Sequence, residues 1–556
     1  VAQVAAIARR RWLLILIGGI VVLFILFSAL SGFYIDLLWF REVHFTNVFW
    51  TTFWSKVFLG TVFGILFFGL LLVNLLIVRR LMPRFRPVSS EQEVIERYRL
   101  AVEPYARRII MLFSLLVALF VGIAASAQWQ TFLLWRSRGP VRFGAQYLDP
   151  VFHRDPSYYI FVLPFQQFVQ GWLFSALVGV TVIVIVAHYL TGGIRVQSPG
   201  EKVTPQVKAH VSVLLGLIML VKAWGYYLGR YTLLTSPRGV VTGASYTDLK
   251  AVLPALNVLM VIAVVCAILF LVNIRFRGWI LPILGIGLLA LTSIVAGAIV
   301  PAIVQKFSVD PQEFQREAPY IERNISATRS AYGLDQIDLK DATVVASVTK
   351  EDAAANTPTL SNVRLWDPAT IRQNYDTLQR FQPYYEFFDV DVDRYDIDGQ
   401  ERVVMVSPRE VSQNGIPAPG GTWQNKVLFY THGYGAVASP VNTVGASGGP
   451  LFELKDIPPD PDSGIALEDG PGAQIYYGER NDVPYIVVGT KQDELNYPDP
   501  TGQTLNTTRY EGSGGIAMGS FFRKLVFAYH YRDINLLISG LIQGDSKILI
   551  NRDIGE

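Results

Sequence analysis

The chain has 556 residues, 51% of them hydrophobic, and a mean hydropathy of +0.33, too apolar for an ordinary soluble protein of this length. Its net charge of +3 hides an asymmetry: residues 1–304 hold 26 Lys and Arg against 10 Asp and Glu, and residues 305–556 hold 22 against 35. A single cysteine, Cys266, excludes a disulfide framework and a cysteine-ligated zinc site, and the acidic second half disfavours nucleic acid, which needs a basic surface.

In chain order, seven apolar runs are long enough to cross a bilayer as helices: Leu13–Phe33, Trp50–Val78, Ile109–Trp129, Phe168–Gly192, Ala209–Arg230, Leu253–Asn273 and Trp279–Val304. The first follows Arg9, Arg10 and Arg11 and is too long, with no cleavage site after it, for a removed signal peptide, so it reads as a signal anchor. Basic clusters at Arg9–Arg11, from Arg79 to Arg108, at Arg195, Lys202 and Lys208, and at Arg275 and Arg277 fall on one side of a seven-helix path. The positive-inside rule therefore predicts a cytoplasmic N-terminus and an outward-facing C-terminal half in a cell-membrane, multi-pass protein. The loop Gln130–Gln167, with Arg136, Arg138, Arg142 and Arg154, votes the other way.

None of the seven runs contains Asp or Glu, but the fifth carries Lys222 near its middle, with Tyr226 and Arg230 at i+4 and i+8 on the same face. An intramembrane cation is costly and usually faces a bundle interior or a wet cavity. This polar face reads as a structural anchor or as a contact for an anion or lipid headgroup in a conduit. Partners for Lys222 include a carbonyl, a hydroxyl, or an outer-loop acid such as Asp155 or Asp248.

Beyond residue 304, Asp310, Pro311 and Glu313 predict a helix start and Gly333 its end, and Asp367 and Pro368 open a second helix. Strand signals follow in "KVLFYTH" (426–432), "QIYYG" (474–478) and "PYIVVG" (484–489), with loops at 414–421, 445–450 and 458–464. In "FFDVDVDRYDIDG", Phe387 to Gly399, an EF-hand loop counted from Asp389 fails, because Arg394 and Gln400 stand where Gly and Glu are needed. The period is two. Asp389, Asp391 and Asp393 share one face of a strand, Val390 and Val392 the other, and Asp398-Gly399 makes a hairpin turn; a cation site completed by another segment is the alternative. "GASGG" at 445–449 matches a nucleophile elbow around Ser447, with His432 upstream and His530 downstream, but nothing helical follows it. "EGSGG" at 511–515, before the helical "SFFRKLVFAYHY", is a glycine turn or an anion nest. The six histidines show no i, i+4 pair, and no metal or cofactor is expected from them.

The segments "DPVFHRDPSYYIFVLPF", "KAWGYYLGRY", "SPRGVVTGASYTD", "PYIERNISATRSAYGL", "VRLWDP", "YYEFFDVDVDRYDIDG" and "YTHGYG" together resemble the uncharacterised protein family 0182 of bacterial multi-pass membrane proteins. The resemblance covers nearly the whole chain. It implies membrane integration, no established reaction, and a chain that continues beyond Glu556. The expected architecture is a seven-helix transmembrane domain over 1–304 and an acidic, strand-rich α+β extracytoplasmic domain over 305–556. Its expected partners are the bilayer and further copies of itself or other envelope proteins. Envelope assembly or scaffolding is the leading function; a conduit for an anionic or lipidic substrate and an outer-surface hydrolase are the alternatives.

Overall fold

A computed structural model describes residues 2–82, 103–139, 142–144, 147–195, 202–276, 278–341, 347–460, 465, 467, 471–499 and 504–555. Part of the basic connection (83–102), Arg277 and the loop tip 461–464 lie outside these residues. Two compact units form: Trp50–Asp341, and Val1–Phe49 with Ala342–Glu556. These cut the chain differently from the expected boundary at 304/305, because the first helix groups with the C-terminal residues, and 305–341 group with the helices.

Seven helices are long and apolar enough to cross a membrane, matching the seven runs: Leu16–Glu42, Thr46–Arg80, Glu103–Ser126, Tyr158–Leu190, Pro205–Gly229, Asp248–Phe276 and Ile280–Ala331. In the helical unit, α2 (Thr46–Arg80), α3 (Ala106–Ser126), α4 (Trp129–Arg136), α5 (Leu163–Leu190), α6 (Pro205–Gly229) and α7 (Leu253–Phe276) are joined mostly as antiparallel neighbours. Phe67, Leu71 and Leu75 of α2 pack with Ala118 of α3, Val180 and Val184 of α5 and Leu214 of α6. Glycines let α2 and α3 touch backbone to backbone: a Cβ at Gly122 would sit 2.5 Å from the Gly60 carbonyl oxygen. Outward-facing Leu66, Phe120 and Ile283 are more than half exposed, a surface that water would not favour and lipid would.

The helical path runs from Ile280 to Ala331, with π-helical turns at Val295–Ile299 and Gln305–Val309 and a 3-10 turn at Asp310–Gln312, after which a new α-helix spans Glu313–Ala331. A helix thus starts where expected, although Asp310 makes no capping bond. Its carboxylate instead accepts the Gln305 amide at 3.0 Å. The end at Gly333 is as expected, with φ +66°.

In the other unit, α8 (Pro368–Gln379) is capped by the Asp367 carboxylate, which accepts the Ala369 and Thr370 N–H groups. The strands are β1 (Tyr385–Glu386), β2 (Asp391–Ile397), β3 (Gln400–Pro408), β4 (Glu410–Val411), β5 (Gly433–Tyr434), β6 (Ala436–Pro440), β7 (Gln474–Ile475), β8 (Tyr485–Val488), β9 (Glu494–Pro498), β10 (Leu505–Thr508), β11 (Ile516–Ala517) and β12 (Lys547–Ile550). They pair as β2-β3-β6, β11-β12-β8, β1-β4, β5-β7 and β9-β10. The expected hairpin is there: Asp391 pairs with Val406 and Ile397 with Gln400, across a turn with φ +56° at Asp398 and +74° at Gly399. Val390 is buried, but Val392 is 44% exposed, so the inner face stops short. "KVLFYTH" is not a strand. Asn425–Phe429 form a π-helical turn, started where the Thr422 hydroxyl accepts the Asn425 N–H, and Val427 and Leu428 point into the core.

That core includes the first helix, α1 (Ala2–Glu42). Ile35 and Leu38 pack with Val427, Leu428, Phe527, Ile548 and Ile550, and Phe24 and Phe27 meet Tyr529 edge to face. Glu42, at the end of α1, accepts the Gly515 N–H at 2.8 Å. The glycine turn of "EGSGG" thus holds a carboxylate supplied by the chain itself.

Candidate functional site

Lys222, Tyr226 and Arg230, expected on one face of α6, make separate contacts in the structure. The Lys222 ammonium lies 5.0 Å from the Tyr226 ring centroid and 5.7 Å from that of Phe174 on α5. Neither expected acid serves it: Asp155 accepts the N–H groups of Phe143, Gly144 and Ser157, and Asp248 pairs with Arg238 at 3.0 Å and bonds Ser245. Two helical turns on, Arg230 turns to a different ring, with its guanidinium carbon 4.3 Å from the Tyr227 centroid, its ε N–H on the Tyr227 carbonyl and an η N–H on Asn257 of α7.

A second arginine completes the cluster. Arg154 enters from the loop before α5, donates to the Tyr231 hydroxyl at 3.1 Å, and lies 4.3 Å and 4.8 Å from the Tyr158 and Tyr231 ring centroids. The same Tyr231 ring is 5.6 Å from the Arg230 guanidinium, and its hydroxyl donates onward to Tyr227 at 3.1 Å. The loop is clasped by Asp149, whose carboxylate accepts the backbone N–H groups of Val151, Phe152 and Arg154 and the Tyr159 hydroxyl. Burial pushes the Asp149 pKa up, but these donors outweigh it and hold the group below the ordinary carboxylate value. Both acids beside Arg154 therefore brace the backbone and leave its guanidinium alone. Among the described residues, no carboxylate lies within ion-pair reach of Arg154, Arg230 or Lys222. Sequence reasoning found Lys222, Tyr226 and Arg230 but took Arg154 only as a dissenting positive charge. The density of Asp, Pro, Tyr and Arg in "DPVFHRDPSYY" was the available signal.

At the opposite end of the same helices sits a polar chain that histidine spacing concealed. His188 Nε2 is 3.1 Å from His210 Nδ1, and His210 Nε2 is 2.9 Å from Asn74 Oδ1, whose amide nitrogen donates to the Leu70 carbonyl. In neutral rings the Asn74 oxygen requires a proton on His210 Nε2, which leaves His210 Nδ1 to accept from His188. The chain ties α2, α5 and α6 together. Its ring nitrogens face each other, and among the described residues no three His, Cys, Asp or Glu side chains gather where they could hold a metal ion.

In the other unit, the described residues around Ser447 do not form an elbow. Ser447 is exposed in a turn closed by the Gly445 N–H on the Gly449 carbonyl, and residues 450–458, which follow it, are not helical, so Ser447 does not sit in the strand-to-helix context of a nucleophile elbow. His432 is buried, with Nδ1 2.9 Å from the Thr431 hydroxyl, which donates to Glu494 together with Tyr476. His530 is exposed and stacks edge-on against Tyr531. Asp391 and Asp393 are exposed on β2, and Asp389 and Asp393 accept the N–H of the next residue.

Comparison with known proteins gives one consistent result. The "Uncharacterised protein family (UPF0182)" matches residues 13–556. The UPF0182 protein of Frankia alni is 43% identical over 526 residues, covering 93% of this chain and 50% of that protein. That of Frankia casuarinae is 43% identical over 555 residues (98% and 53%), and that of Streptomyces coelicolor 38% identical over 555 residues (98% and 54%). The chain spans about half the length of these relatives. No solved structure matches.

Proposed function

The chain belongs to the uncharacterised protein family UPF0182, and from the contacts of its first helix we propose an integral cell-membrane protein that assembles or scaffolds the bacterial envelope, presenting a large outer domain. The observation that carries this is the shared core of α1 and the strand-rich residues. A domain whose core includes Ile35 and Leu38 and whose glycine turn is bonded to Glu42 belongs on the membrane face where α1 ends. Parity agrees: after seven crossings the chain is on the side opposite its N-terminus, which is where α1 emerges after one. With Arg9–Arg11 held in the cytoplasm, that side is extracytoplasmic. Such a domain, rooted in a helix through its core, suits docking of envelope partners at the membrane surface.

Reporter fusions at Gly192 and Gly448 should therefore read opposite sides, with Gly448 outside. Cross-linked complexes from native membranes should contain envelope proteins at fixed ratio to this chain. Both fusions in the cytoplasm, or a chain recovered without such proteins, would sink the proposal.

One observation favours a second reading, a conduit for an anionic or lipidic substrate: Lys222, Arg154 and Arg230 have no carboxylate partner among the described residues. On that reading Lys222→Met abolishes passage of anion or lipid in proteoliposomes without lowering stability. Loss of stability with unchanged passage leaves Lys222 as an anchor.

A further inference from the structure

We infer that Arg154 and Arg230, with the tyrosines between them, form a binding site for a phosphate-bearing anion. The site goes beyond the scaffold proposal and serves a scaffold or a conduit alike. Three observations converge on it.

Both guanidinium groups flank one aromatic ring, at 4.8 Å and 5.6 Å from the Tyr231 centroid. Their donors are underused. A guanidinium carries five N–H donors, and among the described residues one from Arg154 and two from Arg230 are taken, all on neutral oxygens. The rings fix each planar group without consuming its edge, which leaves forked donors of the kind that match phosphate oxygens in pairs.

Charge placement is the second observation. Asp149 and Asp155 stand beside Arg154 in sequence, yet both carboxylates are spent on backbone N–H groups of their own loop. A loop built only for stability would turn one of them onto the guanidinium. Here the cluster keeps a positive charge, and Lys222 adds another deeper along α6.

The third is location. The cluster lies where α5 begins, α6 ends and α7 begins, at one end of helices long and apolar enough to cross a membrane. Tyrosines at that level occupy the depth of phospholipid headgroups. The site also gives a role to one arginine of the exceptional loop Gln130–Gln167, since Arg154 is held among its rings.

The phosphate can come from a lipid headgroup or from free anion, and one experiment separates them. The purified full chain in neutral detergent is melted with short-chain phosphatidylglycerol, with short-chain phosphatidylcholine, and with inorganic phosphate. A ligand that binds only the folded state raises the midpoint with concentration. Phosphatidylglycerol alone should raise it if the source is an anionic lipid, and inorganic phosphate also if the free anion suffices. Arg154→Gln and Arg230→Gln should each weaken the effect about tenfold or more, the cost of a charged hydrogen-bonding partner. Arg154→Lys, which keeps the charge and loses the fork, should fall between. If a glutamine variant does not fold, Arg154→Lys and Arg230→Lys decide alone. The proposal is overturned if neither phosphatidylglycerol nor phosphate shifts the wild-type midpoint, if phosphatidylcholine shifts it equally, or if the variants respond as the wild type does.

Discussion

Arginine is used in opposite ways by the two units. In the strand-rich unit, Arg409 is fully buried and its donors end on protein oxygens: the Gln379 carbonyl at 2.9 Å, the Tyr434 carbonyl at 2.9 Å and the Gln379 side chain at 3.3 Å. Arg552, 3% exposed, likewise reaches the Thr431 carbonyl and Asn481. Burial drives both guanidinium pKa values down to about 10, against a partial opposing pull from nearby tyrosines and carboxylates. In the helical unit, Arg154 and Arg230 are half-buried, lean on rings and leave most donors without a partner among the described residues. A cation whose hydrogen bonds are closed by carbonyls is committed to folding, whereas one held by rings with open donors is available to a ligand. The difference lies in which atoms are consumed.

Removing a closed arginine should therefore have the largest effect. Arg409→Met removes the donors that the Gln379 and Tyr434 carbonyls and the Gln379 side chain accept in the interior and should cost about 3 kcal/mol or more, read as a large drop in the thermal midpoint. Arg552→Met should cost less, about 2 kcal/mol, because its ε N–H already lacks a partner. Arg154→Gln and Arg230→Gln, melted without anion, should each change stability by less than about 1 kcal/mol. Equal losses at all four positions would erase the distinction.

Carboxylates divide in the same way, and pH tests them. Glu410 is 3% exposed and accepts the N–H groups of Glu479 and Arg480. Burial raises its pKa above 4.5, and those two donors only partly offset the rise. A folded pKa above the unfolded one means that the associated stability is full below 4.5 and declines as pH rises through the folded value. Wild type should thus lose ground to Glu410→Gln as pH climbs from 4.5 toward neutrality. A gap that moves the other way would show that the amide donors dominate.

What could be read in advance was whatever is encoded locally. Seven apolar runs announce seven helices because each is contiguous, and Asp367 caps α8 because its partners are two and three residues away. The Asp398-Gly399 turn is equally local. Asp310 carried the same signal as Asp367, and an α-helix does start at Glu313, but without the cap, since the Asp310 carboxylate takes the amide of Gln305, five residues back. The sites were less legible because their partners are distant: Arg154 meets Tyr231 across 77 positions and His188 meets His210 across 22. The fifth run displayed Lys222, Tyr226 and Arg230 in one stripe, but only packing shows that Arg230 turns to Tyr227 and Tyr231.

The smallest effect is expected at the opposite extreme from Glu410, on the acidic strand. Asp391 and Asp393 are exposed, and Asp389 and Asp393 each spend an oxygen on the next residue's N–H at 2.7 Å. Side chains on one face of a strand repeat every second residue, so neighbouring carboxylates start about 6 to 7 Å apart. Calcium needs six or more oxygens at about 2.3 to 2.6 Å, and one extended strand cannot converge them. Among the described residues no third acid joins any two to make a group that could hold a metal ion. Melting with calcium and with chelator should give the same midpoint, and Asp391→Asn should change neither. A calcium-dependent rise that Asp391→Asn removes would mean that another segment completes a cation site on β2, and open carboxylates would then join open arginines as ligand-binding groups.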